Sequence, residues 1–153
     1  MPDVNLRWIA LTILAALAAG CATAYQAVPV VADLAQPIPA GSTRVCVARP
    51  DPFEGRDRVT VRDDGRVVGT IVGGSFLCWD RPAGDFELTA EAENTVRLRL
   101  TGTATRICHV ELIPRLGALR VRCQLATRSP DQAAGYLPRC RAAVFQPLPA
   151  TSP

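Results

Sequence analysis

Short strand-like segments separated by turns fill the chain from Thr43 to Ala126, and in several of them apolar and polar positions alternate with period two. That period puts one set of side chains on each face of a β-strand. Val96-Arg-Leu-Arg-Leu100 is the plainest case, with Val96, Leu98 and Leu100 on one face and Arg97 and Arg99 on the other. Turn signals interrupt the alternation at short intervals: Pro50-Asp-Pro52, Asp64-Gly65, Gly73-Gly74, Arg81-Pro-Ala-Gly84 and Pro114-Arg-Leu-Gly117. The pattern predicts strands over 43–49, 57–63, 66–71, 75–80, 85–92, 96–100, 105–113 and 118–126. About eight short strands at this spacing define an all-β fold, an antiparallel β-sandwich.

Registers follow from matching apolar faces. Asp64-Gly65 is a two-residue hairpin signal, because both turn positions need positive φ. Pairing across it sets Val61 opposite Val68 and Val59 opposite Thr70. Symmetric pairing about residues 81–84 sets Trp79 opposite Phe86 and Leu77 opposite Leu88. A three-residue loop, Glu93-Asn94-Thr95, brings Leu88 to Leu100 and Ala90 to Leu98. Pairing about residues 114–117 gives Leu112–Leu119, Val110–Val121 and Cys108–Cys123 on one face. The other face then carries Glu111–Arg120, His109–Arg122 and Ile107–Gln124. A one-residue slip would scramble both faces. Beyond the last strand, Ser129-Pro-Asp-Gln132 has the spacing of a capping box with Pro at the first helical position. Gly135 ends it after one or two turns.

A different pattern precedes the strands. Trp8 to Gly20 is an apolar run of 13 residues behind the single basic residue Arg7. It is shorter than the roughly 20 residues a bilayer span needs. A core helix fits poorly, because nothing polar marks a second face and Gly20-Cys21 ends the run abruptly. Ala18-Ala-Gly-Cys21 resembles the lipobox of a bacterial lipoprotein export signal, with Cys21 as the residue to be acylated and to become the mature N-terminus. Ala22 follows the cysteine, and by resemblance to sorting signals that favours the outer membrane, facing the periplasm. The expected organisation is a signal peptide over 1–20, lipidated Cys21 and a flexible tether over 21–42, a sandwich over 43–141 and a disordered tail over 142–153. As a coil, residues 22–42 would reach about 25 Å. The tail has three prolines in its last eight residues, a composition that disfavours order.

Composition adds limits. Hydrophobic residues make up 48% of the 153-residue chain and aromatics only 5%, so the core is aliphatic. The net charge is +3, and the 17 basic residues are all arginine, spread along the strands. That dispersion argues against nucleic acid as a partner.

Candidate chemistry is sparse. Five cysteines follow Cys21, and an oxidising periplasm permits disulfides. Cys108 and Cys123 are the first candidates, because the hairpin register sets them opposite each other at bonding distance. Cys46 with Cys78 and Cys78 with Cys140 both remain open. No Cys-x-x-Cys and no chelating spacing is present, so neither a redox motif nor a metal site is expected, and no cofactor is implied. His109, the single histidine, reads as a solvated strand residue beside Glu111 and Arg122. Asp64 of the pair Asp63-Asp64 is explained by the turn. Gly73-Gly74-Ser75 follows a strand but opens no helix, so it is not a phosphate loop. Arg97, Arg99, Arg120 and Arg122 would form a basic strip if their strands were neighbours.

Arg44-Val-Cys-Val-Ala-Arg-Pro50, then Val59 and Val61, Asp64-Gly-Arg-Val-Val-Gly69, Gly74-Ser-Phe76 and Pro82-Ala-Gly84 form an ordered series. With the export signal, that series resembles the bacterial family called domain of unknown function 2846. The resemblance covers residues 43–141. It implies a small envelope lipoprotein with a sandwich-like domain, no assigned activity and no catalytic residues to transfer. The expectation is a non-catalytic envelope lipoprotein, structural or binding a partner protein. The alternative is a sandwich that binds glycan or peptidoglycan. Exposed aromatics on a concave face would mark the alternative, but Trp79 and Phe86 are expected in the core.

Overall fold

The computed structural model describes residues 30–53 and 56–143. The leader with Cys21, the first part of the expected tether and residues 144–153 lie outside the described residues. The expected tail over 142–153 begins too early, because Ala142 pairs Phe76 and the Ala143 amide donates to the Phe76 carbonyl at 2.7 Å. Strands occupy β1 (Ser42–Arg49), β2 (Val59–Asp63), β3 (Arg66–Ile71), β4 (Ser75–Pro82), β5 (Gly84–Glu91), β6 (Thr95–Gly102), β7 (Ile107–Arg115), β8 (Arg122–Arg128) and β9 (Arg141–Ala142). They form a five-stranded sheet, β8-β7-β1-β4-β9, and a four-stranded sheet, β3-β2-β5-β6. The fold is the expected β-sandwich, although β1 pairs β7, and β4 pairs β9, in parallel. Val45, Val47, Leu77, Trp79, Val110 and Leu112 of one sheet meet Val59, Val61, Phe86, Leu88 and Ala90 of the other in a single core.

Four registers differ from expectation. First, β4 and β5 are not a hairpin. β4 pairs β1, whereas β5 pairs β2 and β6. The strand continues through Pro82, and the chain crosses between sheets at Gly84, whose φ of 128° is reserved to glycine. Trp79 and Phe86 therefore share the core from opposite sheets. Second, the β2–β3 turn forms as expected, with Asp64 at φ 45° and Gly65 at φ 80°. A bulge at Val61/Arg62 then moves Val59 opposite Ile71 and Val61 opposite Gly69. Third, the loop between β5 and β6 is three residues long but begins at Ala92, so Leu88 meets Leu98 and Phe86 meets Leu100. Fourth, β7 runs past Pro114 to Arg115, and Leu112 pairs Leu125 instead of Leu119. The slip is an even number of residues, so every side chain keeps its face.

Both ends of the domain pack on the outer face of the five-stranded sheet. The capping box is present: the Gln132 amide donates to Ser129 Oγ at 3.2 Å, and the Ser129 amide donates to Gln132 Oε1 at 3.0 Å. It starts helix α1 (Pro130–Ala134), which Gly135 caps. At the other end, residues 30–41 are not a free coil. Val30 bridges to Trp79, and the Val31 amide donates to the Cys78 carbonyl at 2.7 Å. Fully buried Arg44 grips Asp80 with two bonds of 2.8 and 2.9 Å. Its remaining nitrogen donates to the carbonyls of Leu34 (3.3 Å) and Gln36 (2.7 Å). A buried guanidinium needs partners for its donors; Asp80 accepts two of the N–H groups and this segment accepts two more.

Candidate functional site

The most distinctive surface lies at the end of the sandwich where β1, β5 and β7 finish. Six residues, 116–121, join β7 to β8 there. The sequence suggests a short hairpin turn, but the loop finds its partners elsewhere. The Glu93 carboxylate accepts the amides of Ala118 (2.9 Å), Leu119 (2.8 Å) and Arg120 (2.7 Å). Asp57 accepts the Val121 amide at 2.8 Å, and Asn94 bonds both backbone groups of Cys123, at 3.0 and 2.8 Å. Carboxylates from two other connections thus replace the strand ladder, which is why Leu119 does not pair Leu112. The three amides hold the Glu93 carboxyl down at about 2. Gly117 makes the loop possible, because a β-carbon there would collide with the Arg120 carbonyl and crowd Glu93.

The braced loop turns two leucines outward. Leu116 is 76% exposed and Leu119 94%. Exposed Arg115, Arg120 and Arg122 flank them. Phe53, 45% exposed, sits in the neighbouring connection. Buried Arg49 holds that connection by donating to the Phe53 and Asp57 carbonyls, each at 2.7 Å. Beneath the loop is a hollow of about 450 Å³, lined by Arg56, Asp57, Thr60, Glu91, Glu93 and Arg120. Its carboxylates are already engaged, with Glu91 on Arg62 at 2.9 Å and Glu93 on three amides. An arrangement of this kind braces a surface.

A second polar cluster lies at the opposite end. Asp63 accepts the Trp79 indole N–H at 2.8 Å and an Arg81 guanidinium N–H. Arg81 also reaches Asp64 at 3.1 Å and stacks 4.1 Å over the Phe86 ring. Asp64 accepts the Glu87 amide at 2.9 Å. The cluster clasps the two sheets together. Burial is the leading effect on Asp63 and raises its pKa, against the pull of Trp79 and Arg81.

The cysteines require a correction. Cys108 and Cys123 are not bonded. Cys123 pairs Pro114, six residues along β7 from Cys108, a separation of about 20 Å. Burial raises both thiols, Cys123 to about 11. The disulfide is Cys46–Cys78, directly opposite across β1 and β4 with Cα atoms 4.2 Å apart. Cys140 is free. Cys21, the candidate for acylation, lies outside the described residues.

The remaining candidates scatter. His109 faces Arg128, not Arg122, across the sheet, and burial lowers its pKa. Arg128 instead bonds Glu111 at 2.6 Å. Gly73-Gly74 forms a turn, with Gly74 at φ 73° and the Ser75 hydroxyl tied to the Val72 carbonyl at 2.7 Å. Arg97 and Arg99 each lie 3.5 Å from Glu87 on the four-stranded sheet, while Arg120 and Arg122 belong to the loop end, so the four make no single strip. Among the described residues, no three His, Cys, Asp or Glu side chains gather to hold a metal. No family model matches the chain, and neither a curated protein nor a solved structure is significantly similar to it.

Proposed function

We propose that this chain is a non-catalytic lipoprotein of the cell envelope, acylated at Cys21 and carried by the outer membrane. Its sandwich is a structural or partner-binding module, and the 116–121 loop is its contact surface. The observation that carries this reading is the bracing of that loop. Glu93 spends its carboxylate on three backbone amides to hold two exposed leucines outward. Exposed apolar side chains on an ordered loop favour contact over turnover. The resemblance to the family of small envelope lipoproteins points the same way. Glycan recognition is less favoured, because Trp79 is fully buried and Phe86 is 5% exposed, which leaves Phe53, among the described residues, as the single exposed ring beside the loop.

Two measurements test the reading. Mass spectrometry of the protein recovered from envelopes is expected to find an acylated N-terminal Cys21; an intact Met1 terminus overturns the lipoprotein assignment. Protein starting at Ala22 is then used as bait in envelope extract or on purified membranes, beside Leu116→Ser/Leu119→Ser. Loss of the captured component with the leucines supports the contact surface. Equal capture by both forms, or retention only on purified cell-wall glycan, overturns it.

A further inference from the structure

We infer that the 116–121 loop is a second membrane contact, inserting Leu116 and Leu119 into a bilayer surface that carries anionic headgroups. The inference rests on the lipoprotein reading for the position of the bilayer, and it names the chemistry of the contact surface. Three observations carry it.

The first is the chemistry of the tip. Residues 115–122 read Arg-Leu-Gly-Ala-Leu-Arg-Val-Arg, with three guanidinium groups, two outward leucines and no acidic residue. Apolar side chains at a tip, with arginines set just behind them, match a bilayer in order of depth. Leucine enters the acyl boundary while arginine meets phosphate. The guanidinium fork suits a phosphate better than an ammonium does.

The second is the fate of the nearby acidic charge. Glu93 lies under the loop, and a bare carboxylate there would repel an anionic surface. Glu93 stays exposed and ionised, but its oxygens are held by the loop's own amides, and the three arginines of residues 115–122 outnumber it. The same bonds order the loop before it meets a surface, which lowers the entropy lost on contact.

The third is reach. Val30 is fixed opposite Trp79, nine residues after Cys21. Nine residues span at most about 30 Å. From Trp79 to Ser75, where β4 begins at the loop end, the strand covers about 13 Å. Val30 pairs Trp79 antiparallel, so the chain before it leaves toward Asp80. To bring Cys21 to the loop end the nine residues would have to turn back along the sheet, and their length allows the acyl chain and the leucine tip to meet one bilayer surface.

The test uses the mature chain from residue 21 with Cys21→Ser, so that no acyl chain contributes. Vesicles of phosphatidylethanolamine with phosphatidylglycerol are compared with vesicles of phosphatidylcholine alone. Co-sedimentation is expected with the anionic vesicles. Leu116→Ser/Leu119→Ser should weaken it about tenfold or more, since two leucines leave the apolar phase. Arg120→Gln/Arg122→Gln should abolish the preference for anionic lipid. Fluorescence of Trp79, buried in the core, confirms that each variant is folded. Failure of the unacylated chain to sediment, or equal binding by the leucine variant, overturns the inference. So does leucine-dependent dimerisation or leucine-dependent capture of a protein without vesicle binding. In the last case, acylated Cys21 found on the native protein leaves the lipoprotein reading standing, whereas an intact Met1 removes that reading by itself.

Discussion

The carboxylate of Asp63, at the end of β2, accepts the indole N–H of Trp79, on β4 of the facing sheet, at 2.8 Å. The largest side chain in the core is thereby fastened to the opposite layer by a polar bond. Arg81 completes the fastening from the Trp79 strand. Asp63→Ala leaves both donors without their acceptor and is expected to cost about 3 kcal/mol in chemical denaturation. Asp64→Ala, at a carboxylate 53% exposed, should cost less than about 1 kcal/mol. Equal losses at the two positions would contradict the clasp. Because burial raises the Asp63 pKa, its titration favours the fold below the ordinary carboxylate value. That contribution is lost as pH rises through the folded value. Asp63→Asn should remove this slope.

Titration of Glu93 runs the other way. Its folded pKa of about 2 lies below the ordinary 4.5, so its support for the loop is present above 4.5 and is lost as pH falls towards 2. Protection factors at Ala118, Leu119 and Arg120, taken relative to the intrinsic exchange rate at each pH, should fall across that window. Glu93→Gln should show roughly tenfold faster exchange at those amides at neutral pH, with the core strands unchanged. Unaltered exchange in the variant would refute the brace.

The Cys46–Cys78 bond closes a loop with a sequence separation of 32. The chain-entropy relation gives about 3–4 kcal/mol for a loop of that length. Cys46→Ser/Cys78→Ser should melt about 10–20 °C lower. Peptide mapping without reductant should link the Cys46 and Cys78 peptides and leave those of Cys108 and Cys123 unlinked. A Cys108–Cys123 link would overturn the register of β7 with β8.

Arg44 holds residues 34–36 as well as Asp80. Arg44→Ala should destabilise by about 3 kcal/mol and open residues 31–41 to limited proteolysis. Arg44→Lys should rescue little, because an ammonium cannot reproduce the fork. If residues 31–41 stay protected in Arg44→Ala, the segment is held by something other than this residue.

Eight of the nine strands, the face assignment and the helix cap were legible in the chain, because each depends on neighbours within a few residues; β9, a two-residue strand, was not. Val96, Leu98 and Leu100 face the core as their spacing requires, and Ser129 caps its helix from three residues away. Registers were harder. The β4–β5 corner and the β2 bulge are set by contacts between layers, on which sequence spacing is silent. The six-residue slip of β8 depends on Glu93 and Asp57, both distant in sequence. Asp63 carried a signal that periodicity alone could expose: it shares the parity of Val59 and Val61, so its side chain points into the core. A carboxylate there demands a buried donor, and Trp79 and Arg81 are the residues that meet the demand. Arg44 differs, since its parity places it on the outer face, and only the docking of residues 30–41 buries it.

β1 lies in the middle of its sheet, between β4 and β7. Among the described strands it is the first to be synthesised, yet its parallel neighbour begins at Ile107, some sixty residues later. Until then Val45 and Val47 have a vacant edge beside them and an unfinished layer above. A nascent chain of this design cannot grow outward from its start. The centre of the sheet waits for sequence from near the end, so any truncation before β7 leaves an open, adhesive strand where the finished domain has its most protected one.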